Sequence, residues 1–345
     1  MKTSFLNALL LSTLFLNSYC METKKKESSP IALKLENSEC KKIEVQLSPL
    51  EECPDKTYLP CNPSICKFEE GYLVVCRTVN YDIDFNRNPV IQPIDLSESL
   101  KTKNILVHYD RHFNKIKEAR IVDHSAIPTF FHKRLSLEDY RIFNWHDELW
   151  FLSTTHDTNI QGTPKKVLGK IKNLKSEDSI ELENLVTIDH PCTKWGEKNW
   201  LPFIMDNKLH AIYSFDPLTV FHIETDGTYT TSIKNEHEFD MTEFRGSAAP
   251  IPFQEGYLAL VHEHVSSNDK FNYFHRFVYL DANLTIKKVS DRFTFMGQDV
   301  EFVCGMALDD LTQKLVIGLG VWDKEAYLCF IDTDYVSSLL QPLTN

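Results

Sequence analysis

Two sets of polar residues in this chain could do chemistry. The first sits in short segments that lead into apolar strands: Asn62, the run Glu138-Asp139-Tyr140-Arg141, the run Glu197-Lys198-Asn199, Arg245 with Ser247, and Glu301. The second lies within or just after the strands that follow: Arg77, His156, Asp216, His262-Glu263-His264 and Asp323. Carboxyl groups of this kind can move protons, and arginine and lysine can hold oxyanions. Buried charge is costly unless paired, so many such residues at equivalent positions imply a wet, polar funnel, and hence a ligand site. The bland alternative for residues 138–141 is a surface turn with a local Asp139–Arg141 ion pair. In an extended segment Asp139 and Arg141 share one side while Glu138 and Tyr140 share the other. On that spacing one acid faces the funnel and the other a neighbouring sheet.

The elements that must position these residues form a repeat. Five segments open on a turn and continue as an apolar strand: EGYLVVCRTVNY, HDELWFLSTTHD, DNKLHAIYSFDP, EGYLALVHEHV and TQKLVIGLGVWD. Their common leucines, Leu73, Leu149, Leu209, Leu258 and Leu315, recur at intervals of roughly 50–75 residues. Each is preceded by one of the polar segments: NPSICKF, LEDYRIFNW, GEKNWLPFIM, FRGSAAPIPF or VEFVCGMAL. Helical periodicity is nearly absent, and the charged stretch from Lys170 to Glu183 reads as a hairpin loop. Short strands with turn residues at this period match the blades of a β-propeller, so the expected fold is all-β, a five-bladed β-propeller over residues 58–335. A two-sheet β-sandwich is the competing architecture. Residues 31–35 or 43–47, both alternating, are candidates for the strand that closes the ring, since closure removes exposed edges. Residues 336–345 read as a C-terminal tail.

At these motifs the sequence resembles glycoside hydrolase family 130, the mannoside phosphorylases and their hydrolytic relatives, over roughly residues 60–332. That family carries Glu-Asp-Pro-Arg in its second blade, where this chain has Glu138-Asp139-Tyr140-Arg141. A Glu-Lys-Asn motif in the third blade matches Glu197-Lys198-Asn199, and Tyr213-Ser214-Phe215-Asp216 matches a segment ending in an Asp near the sugar. Tyr140 in place of proline is the departure. The resemblance implies a carbohydrate-active enzyme that cleaves or forms a β-mannoside-like linkage by direct displacement. Asp139 would be the general acid and Arg141 part of the phosphate or sugar clamp. Arg77, Lys198, Arg245 and His262 would hold phosphate as co-substrate; if water attacks instead, Glu197, Glu263 or Glu301 would activate it. Glu138, Asn199, Asp216 and Asp323 complete the expected binding set. An arginine lowers the pKa of a neighbouring Asp, whereas a general acid must keep its proton, so the two roles pull against each other.

Trp145, Trp195, Trp200, Tyr213 and Trp322 lie beside these motifs and could stack on sugar rings; the alternative for each is ordinary packing. On a strand His262 and His264 share a side, and no third metal ligand has a fixed spacing. No nucleotide loop or Gly-x-Ser-x-Gly elbow appears, so no cofactor is expected beyond inorganic phosphate as a co-substrate. Asn283-Leu284-Thr285 is a glycosylation sequon. The contrasting reading is a catalytically silent propeller that binds glycans or protein; a glycosyltransferase-like relative is a further one.

Composition sets the limits. Of the 345 residues 42% are hydrophobic and 25% charged, an ordinary globular make-up. The net charge of −12 argues against nucleic acid or an anionic membrane as partner. An apolar run over residues 5–16 follows Lys2 and is too short to span a bilayer; it suits a signal peptide over residues 1–20, with export to the periplasm or medium. A lipoprotein anchor at Cys20 fits poorly after the bulky Tyr19. No later segment is long and apolar enough to cross a membrane. Of nine cysteines, Cys40, Cys53, Cys61, Cys66 and Cys76 cluster near the N-terminus, which in an oxidising compartment predicts disulfides stapling residues 21–57 and their surroundings. Cys192, Cys304 and Cys329 read as free core thiols.

Overall fold

Each of the five apolar repeats is the second strand of a hairpin, and the turn before it explains the sequence. The central turn residues take up left-handed φ values: Glu69 (49°), His146 and Asp147 (52° and 61°), Asp206 and Asn207 (50° and 59°), Gln254 (52°). Two-residue turns of this hand match the natural twist of antiparallel strands, so they close tight hairpins. The common leucines follow at once, and Leu73, Leu149, Leu209, Leu258 and Leu315 are all buried.

A computed structural model describes residues 33–51, 53–83, 89–91, 100–123, 134–176, 179–190, 199–237, 239–267 and 270–343. The signal-peptide and Cys20 expectations, Cys192, Trp195, Glu197 and Lys198 lie outside them. The described chain is all-β. Five antiparallel meanders of four strands follow one another. The first comprises Leu59–Phe68, Gly71–Val79, Leu100–Tyr109 and Lys115–Val122. The second comprises Glu138–Trp145, Glu148–Thr155, Lys165–Lys172 and Ser179–Ile188. Next come Leu201–Met205, Lys208–Phe215, Leu218–Ile223 and Tyr229–Asn235. The fourth runs through Arg245–Phe253, Gly256–Ser267, Lys270–Asp281 and Ile286–Ser290. The fifth has Glu301–Asp309, Lys314–Val321 and Glu325–Asp332, and borrows its outer strand, Ser38–Lys42, from the N-terminal region.

The first strands of successive meanders touch one another, and the fifth touches the first. Apolar cores fill each junction in turn. Leu73 and Val75 pack with Ile142 and Phe151, Trp150 and Leu168 with Trp200 and Phe221, and Ile212 and Val220 with Val261 and Val278. Leu260 and Phe277 then pack with Leu315, Ile317 and Leu319, and Val316 and Phe330 with Ile65 and Val74. The meanders thus form a closed ring whose first strands face its centre.

Several expectations change here. The closing strand is Ser38–Lys42, lying between the two segments expected to supply it; Leu33–Lys34 instead pairs in parallel with Phe293–Thr294. Neither alternation nor apolarity marks SECKK, because an outer strand has only one neighbour to satisfy. The charged stretch after Lys170 is a hairpin, but its strands run well into the segment read as loop. A helix, Thr333–Leu339, runs across the expected start of the tail at residue 336, and a strand, Leu340–Pro342, extends the fourth meander. No helix among the described residues is long and apolar enough to cross a membrane.

The disulfide expectation is corrected in its partners. Cys40 bonds Cys329, across 289 residues of sequence, fastening the borrowed strand to the fifth meander where the two residues face each other. Cys329 is therefore no free thiol. Cys53, Cys61, Cys66 and Cys76 are buried and unbridged, as is Cys304. Burial pushes the Cys66, Cys76 and Cys304 thiols up to about 12, which keeps them protonated and unreactive.

A bridge closing so long a loop typically contributes about 2–4 kcal/mol. The Cys40→Ser variant is expected to lose that much in urea denaturation under non-reducing conditions. Reductant should bring the wild type down to the variant and leave the variant unmoved; equal midpoints before reduction would show that strand pairing alone closes the ring.

Candidate functional site

The polar segments converge because the first strands do. At the head of the second meander the alternation expected for Glu138-Asp139-Tyr140-Arg141 is broken. Asp139 has φ 50°, and the register with the next strand slips between Glu138 and Arg141. A bulge of this kind re-aims side chains, and both acids now reach one cation. Arg77 Nη1 lies 2.9 Å from Asp139 Oδ1 and Nη2 lies 3.4 Å from Glu138 Oε1. Arg77 comes from the first meander, so the ion pair spans two meanders and is not the local Asp139–Arg141 pair. Its Nη2 also donates to the Tyr81 hydroxyl at 3.0 Å and its Nε to Thr102 Oγ1 at 3.3 Å. Burial works against the Arg77 charge, but Tyr81, Glu138 and Asp139 hold its proton more firmly than usual.

Asn62 completes the hold on Asp139, with Nδ2 donating to Oδ1 at 3.0 Å. Its own Oδ1 is buried and has no hydrogen-bond partner among the described residues. Gly320 makes room: a Cβ there would lie 2.1 Å from Asn62 Oδ1. Burial raises the Asp139 pKa, yet Arg77, Asn62 and Arg141 outweigh it and bring the carboxyl from 3.8 to about 2.

Asp323 stands at the turn of the fifth meander, again with φ 50°. Its Oδ2 accepts from the Tyr81 hydroxyl at 3.4 Å, the same hydroxyl that accepts from Arg77. Here burial dominates, and the charges of Asp139 and Glu138 add to it against the pull of Arg77, so the carboxyl is raised above its ordinary range. Two aspartates of one cluster are thus pushed in opposite directions.

Arg141 serves a second node. It is buried, donating through Nε to the Ser247 carbonyl at 3.1 Å and through Nη2 to Asn199 Oδ1 and the Gly246 carbonyl, both at 3.3 Å. It ties the second, third and fourth meanders at the ring's centre, and its guanidinium meets the backbone of Asp139, not its carboxylate. A Cβ at Gly246 would lie 2.2 Å from the Asn199 carbonyl, so glycine is needed for this approach. Ser247 Oγ lies 2.8 Å from His262 Nδ1. Burial, with His275 and Arg141 adding to it, pushes the His262 pKa well below its usual value, so the ring is neutral.

The other expected residues have local partners. Glu301 is fully buried and accepts from the backbone N–H groups of Phe295, Met296 and Gln298, an arrangement that organises the loop before the fifth meander. Glu263 is paired with Arg276 and Arg292. Arg245 is exposed, and its Nη1 donates to the Thr242 carbonyl at 2.6 Å. Asp216 Oδ2 accepts from the Met241 N–H at 3.0 Å. His156 Nε2 lies 4.0 Å from Glu138 Oε2, beside the central cluster. Of the aromatics, Trp145 and Trp200 are core residues: Trp145 Nε1 donates to the Asn207 carbonyl, and Trp200 packs edge-on against Tyr213 and Phe221. Tyr81 and Thr102 belong to the site although no polar motif in the sequence contains them.

No protein-family model matches the chain, and no curated protein matches its sequence. Solved structures do. A β-1,2-mannobiose phosphorylase from Listeria innocua, in complex with β-1,2-mannobiose, superposes with a TM-score of 0.54 at 15% identity, covering 87% of this chain and 98% of that one. A structure described among the glycoside hydrolases of family 130 that target β-1,2 mannosidic linkages in Candida mannan gives 0.55 at 13%, covering 86% and 94%. A mannose phosphorylase from Leishmania mexicana, in complex with a phosphate ion, gives 0.50 at 10%, covering 88% and 92%. The chain therefore shares its fold with the mannoside phosphorylases and hydrolases of glycoside hydrolase family 130.

Proposed function

We propose that the ring is a five-bladed β-propeller, and that the protein is an exported enzyme acting on β-mannoside-like glycosidic linkages at its centre. The observation that carries this is the central cluster in which Arg77 and the Tyr81 hydroxyl gather Glu138, Asp139 and Asp323, with the two aspartates pushed in opposite directions. Groups whose surroundings drive their pKa values apart are the usual basis of acid–base roles. Asp323 is the carboxyl whose surroundings raise its proton affinity, and Asp139, the acid implied by the family motif, is ionised in the free protein. Either the proton passes directly from Asp323 to the leaving oxygen, or Asp139 takes it up as substrate displaces Arg77's hold. In both cases the bond from the anomeric carbon to the leaving oxygen breaks, its electron pair goes to that oxygen, and the proton caps it. Phosphate or water attacks the opposite face of the sugar.

Glu263 and Glu301 are occupied by arginines and backbone N–H groups, which leaves Glu197 as the expected base if water attacks. Phosphate, already anionic, needs no such base. Lys198 and Arg245 remain its candidate partners, with Arg141 and Arg77 bordering the centre; neutral His262 is suited to a hydrogen bond more than to charge pairing. Asn62 Oδ1 is suited to accept from a sugar hydroxyl. The Cys40–Cys329 disulfide supports export, because such bonds persist in oxidising compartments.

The reading is tested by incubating the protein with β-linked mannosides, with and without phosphate, beside Asp139→Asn and Asp323→Asn. Asp323→Asn should lose at least about 100-fold in turnover by either route, the scale of a general acid, and Asp139→Asn should match it only where Asp139 relays the proton. Sugar phosphate as product marks a phosphorylase and free sugar a hydrolase. Binding without turnover in the wild type would identify a glycan-binding module instead.

For the wild type, turnover should be lost as pH rises through the raised pKa of Asp323. A profile that shows no loss as pH rises from the acid range upward would remove Asp323 as the source of the proton.

Stability should show the Asp139 shift separately. A carboxyl depressed on folding stabilises the fold above its unfolded pKa and ceases to do so as pH falls through the folded value. The shift from 3.8 to about 2 corresponds to on the order of 2 kcal/mol. Wild type and Asp139→Asn should therefore differ in urea denaturation at about pH 5, with the gap closing as pH falls and gone only below about pH 2. A constant gap would mean that the carboxylate charge is not what Arg77 engages.

A further inference from the structure

Beside the carboxylate cluster, between the first two meanders, lies a cavity of about 350 Å³. It is within the size range of small-molecule sites. It shares a wall with the cluster: Thr102 lines it, and the Thr102 hydroxyl accepts from Arg77 Nε. Leu137 and Tyr140, which bracket Glu138 and Asp139, line it too. Tyr140 is the residue that stands where the family motif has proline, so this wall comes from the chain's own departure from that motif.

The lining has the character of a saccharide site. Asn104 is only 6% exposed; its Nδ2 donates to the Leu137 carbonyl at 3.1 Å, and its Oδ1 has no partner among the described residues. A buried acceptor left without a donor is costly, and a ligand hydroxyl would satisfy it. Ile105, Ile121, Val122 and Leu182 offer apolar surface for a sugar's C–H face. Of the charged lining, the Lys103 amine is paired with Glu51 at 2.7 Å, and Arg120 is accompanied in the lining by Asp123.

We propose that this cavity is an accessory saccharide site, holding a sugar unit of the substrate removed from the linkage that is cleaved. The proposal rests on the carbohydrate reading above and adds to it a preference for longer chains. Asn104 Oδ1 accepts a hydroxyl of that unit, and the apolar wall packs against its ring.

The test is calorimetric titration of mannose, β-linked mannobiose and β-linked mannotriose into the full chain, with Asp323→Asn present throughout to block turnover. The trisaccharide should bind at least tenfold more tightly than the disaccharide. Ile121→Trp, which fills the cavity from a residue outside the cluster, should reduce that ratio to within twofold and leave mannose binding unchanged. Asn104→Ala should weaken the trisaccharide several-fold, and it reads the same site if Ile121→Trp fails to fold. A length preference that survives both substitutions overturns the proposal, as does the absence of any length preference. Length-dependent binding that responds to the substitutions, in a protein whose wild type turns nothing over, keeps the cavity site and removes only the enzymatic reading.

Discussion

The centre of this structure depends on one buried guanidinium. Arg77 is 4% exposed and meets Glu138, Asp139, Tyr81 and Thr102, drawing groups from two meanders together and reaching the fifth through Tyr81 and Asp323. A charge so far from water needs compensation, and removing one partner of a buried pair costs more than the pair contributes. The carboxylates are therefore not free to point elsewhere. Their positions relative to one another follow from a shared cation.

Arg141 performs a different task with the same side chain. Its partners are carbonyls and an amide, so it fixes backbone, and Gly246 is required for that backbone to come close. One arginine sets the charge state of the acids while the other sets the spacing of the strands that bear them. The borrowed strand and its disulfide close the same ring from the outside. Strain at the centre, seen in the left-handed φ values of Asn62, Asp139, Asn199 and Asp323, is carried by this surrounding framework.

Much of this was legible in the sequence, for physical reasons. A repeated turn followed by a buried strand reads directly, since both periodicity and turn chemistry are local. That Asn62, Glu138, Asp139, Arg141 and Asn199 lie near one another was legible for the same reason, whereas Arg245 and Glu301 turn to local partners. What could not be read depends on deviations from regularity. The bulge at Asp139 cancels the alternation that would have sent Glu138 and Asp139 to opposite faces, and it depends on contacts from Asn62 and Arg77, far off in sequence. The Cys40–Cys329 bond joins the two ends of the fold, whereas clustering in sequence suggested neighbours. Glu263 and Glu301 looked like free acids because their partners, Arg292 and the backbone around Phe295, carry no motif.

The position of Tyr140 links the fold to the proposed chemistry. Proline fixes φ and stiffens a loop, and its absence here leaves the bulge to be held by other means. The Tyr140 ring packs on Phe151 at 4.4 Å, and its carbonyl accepts from the Cys304 thiol at 3.3 Å, so the residue is anchored on both sides. Anchoring by packing replaces rigidity of the backbone, and it brings an aromatic wall to a cavity next to the acids. A single substitution in the motif thus keeps Asp139 in place while changing what lies beside it. On the proposed reading the reacting centre is governed by Arg77 and the length of the substrate by Tyr140's surroundings; they lie on strands of different meanders and border each other at Thr102, so substitutions away from Thr102 separate them.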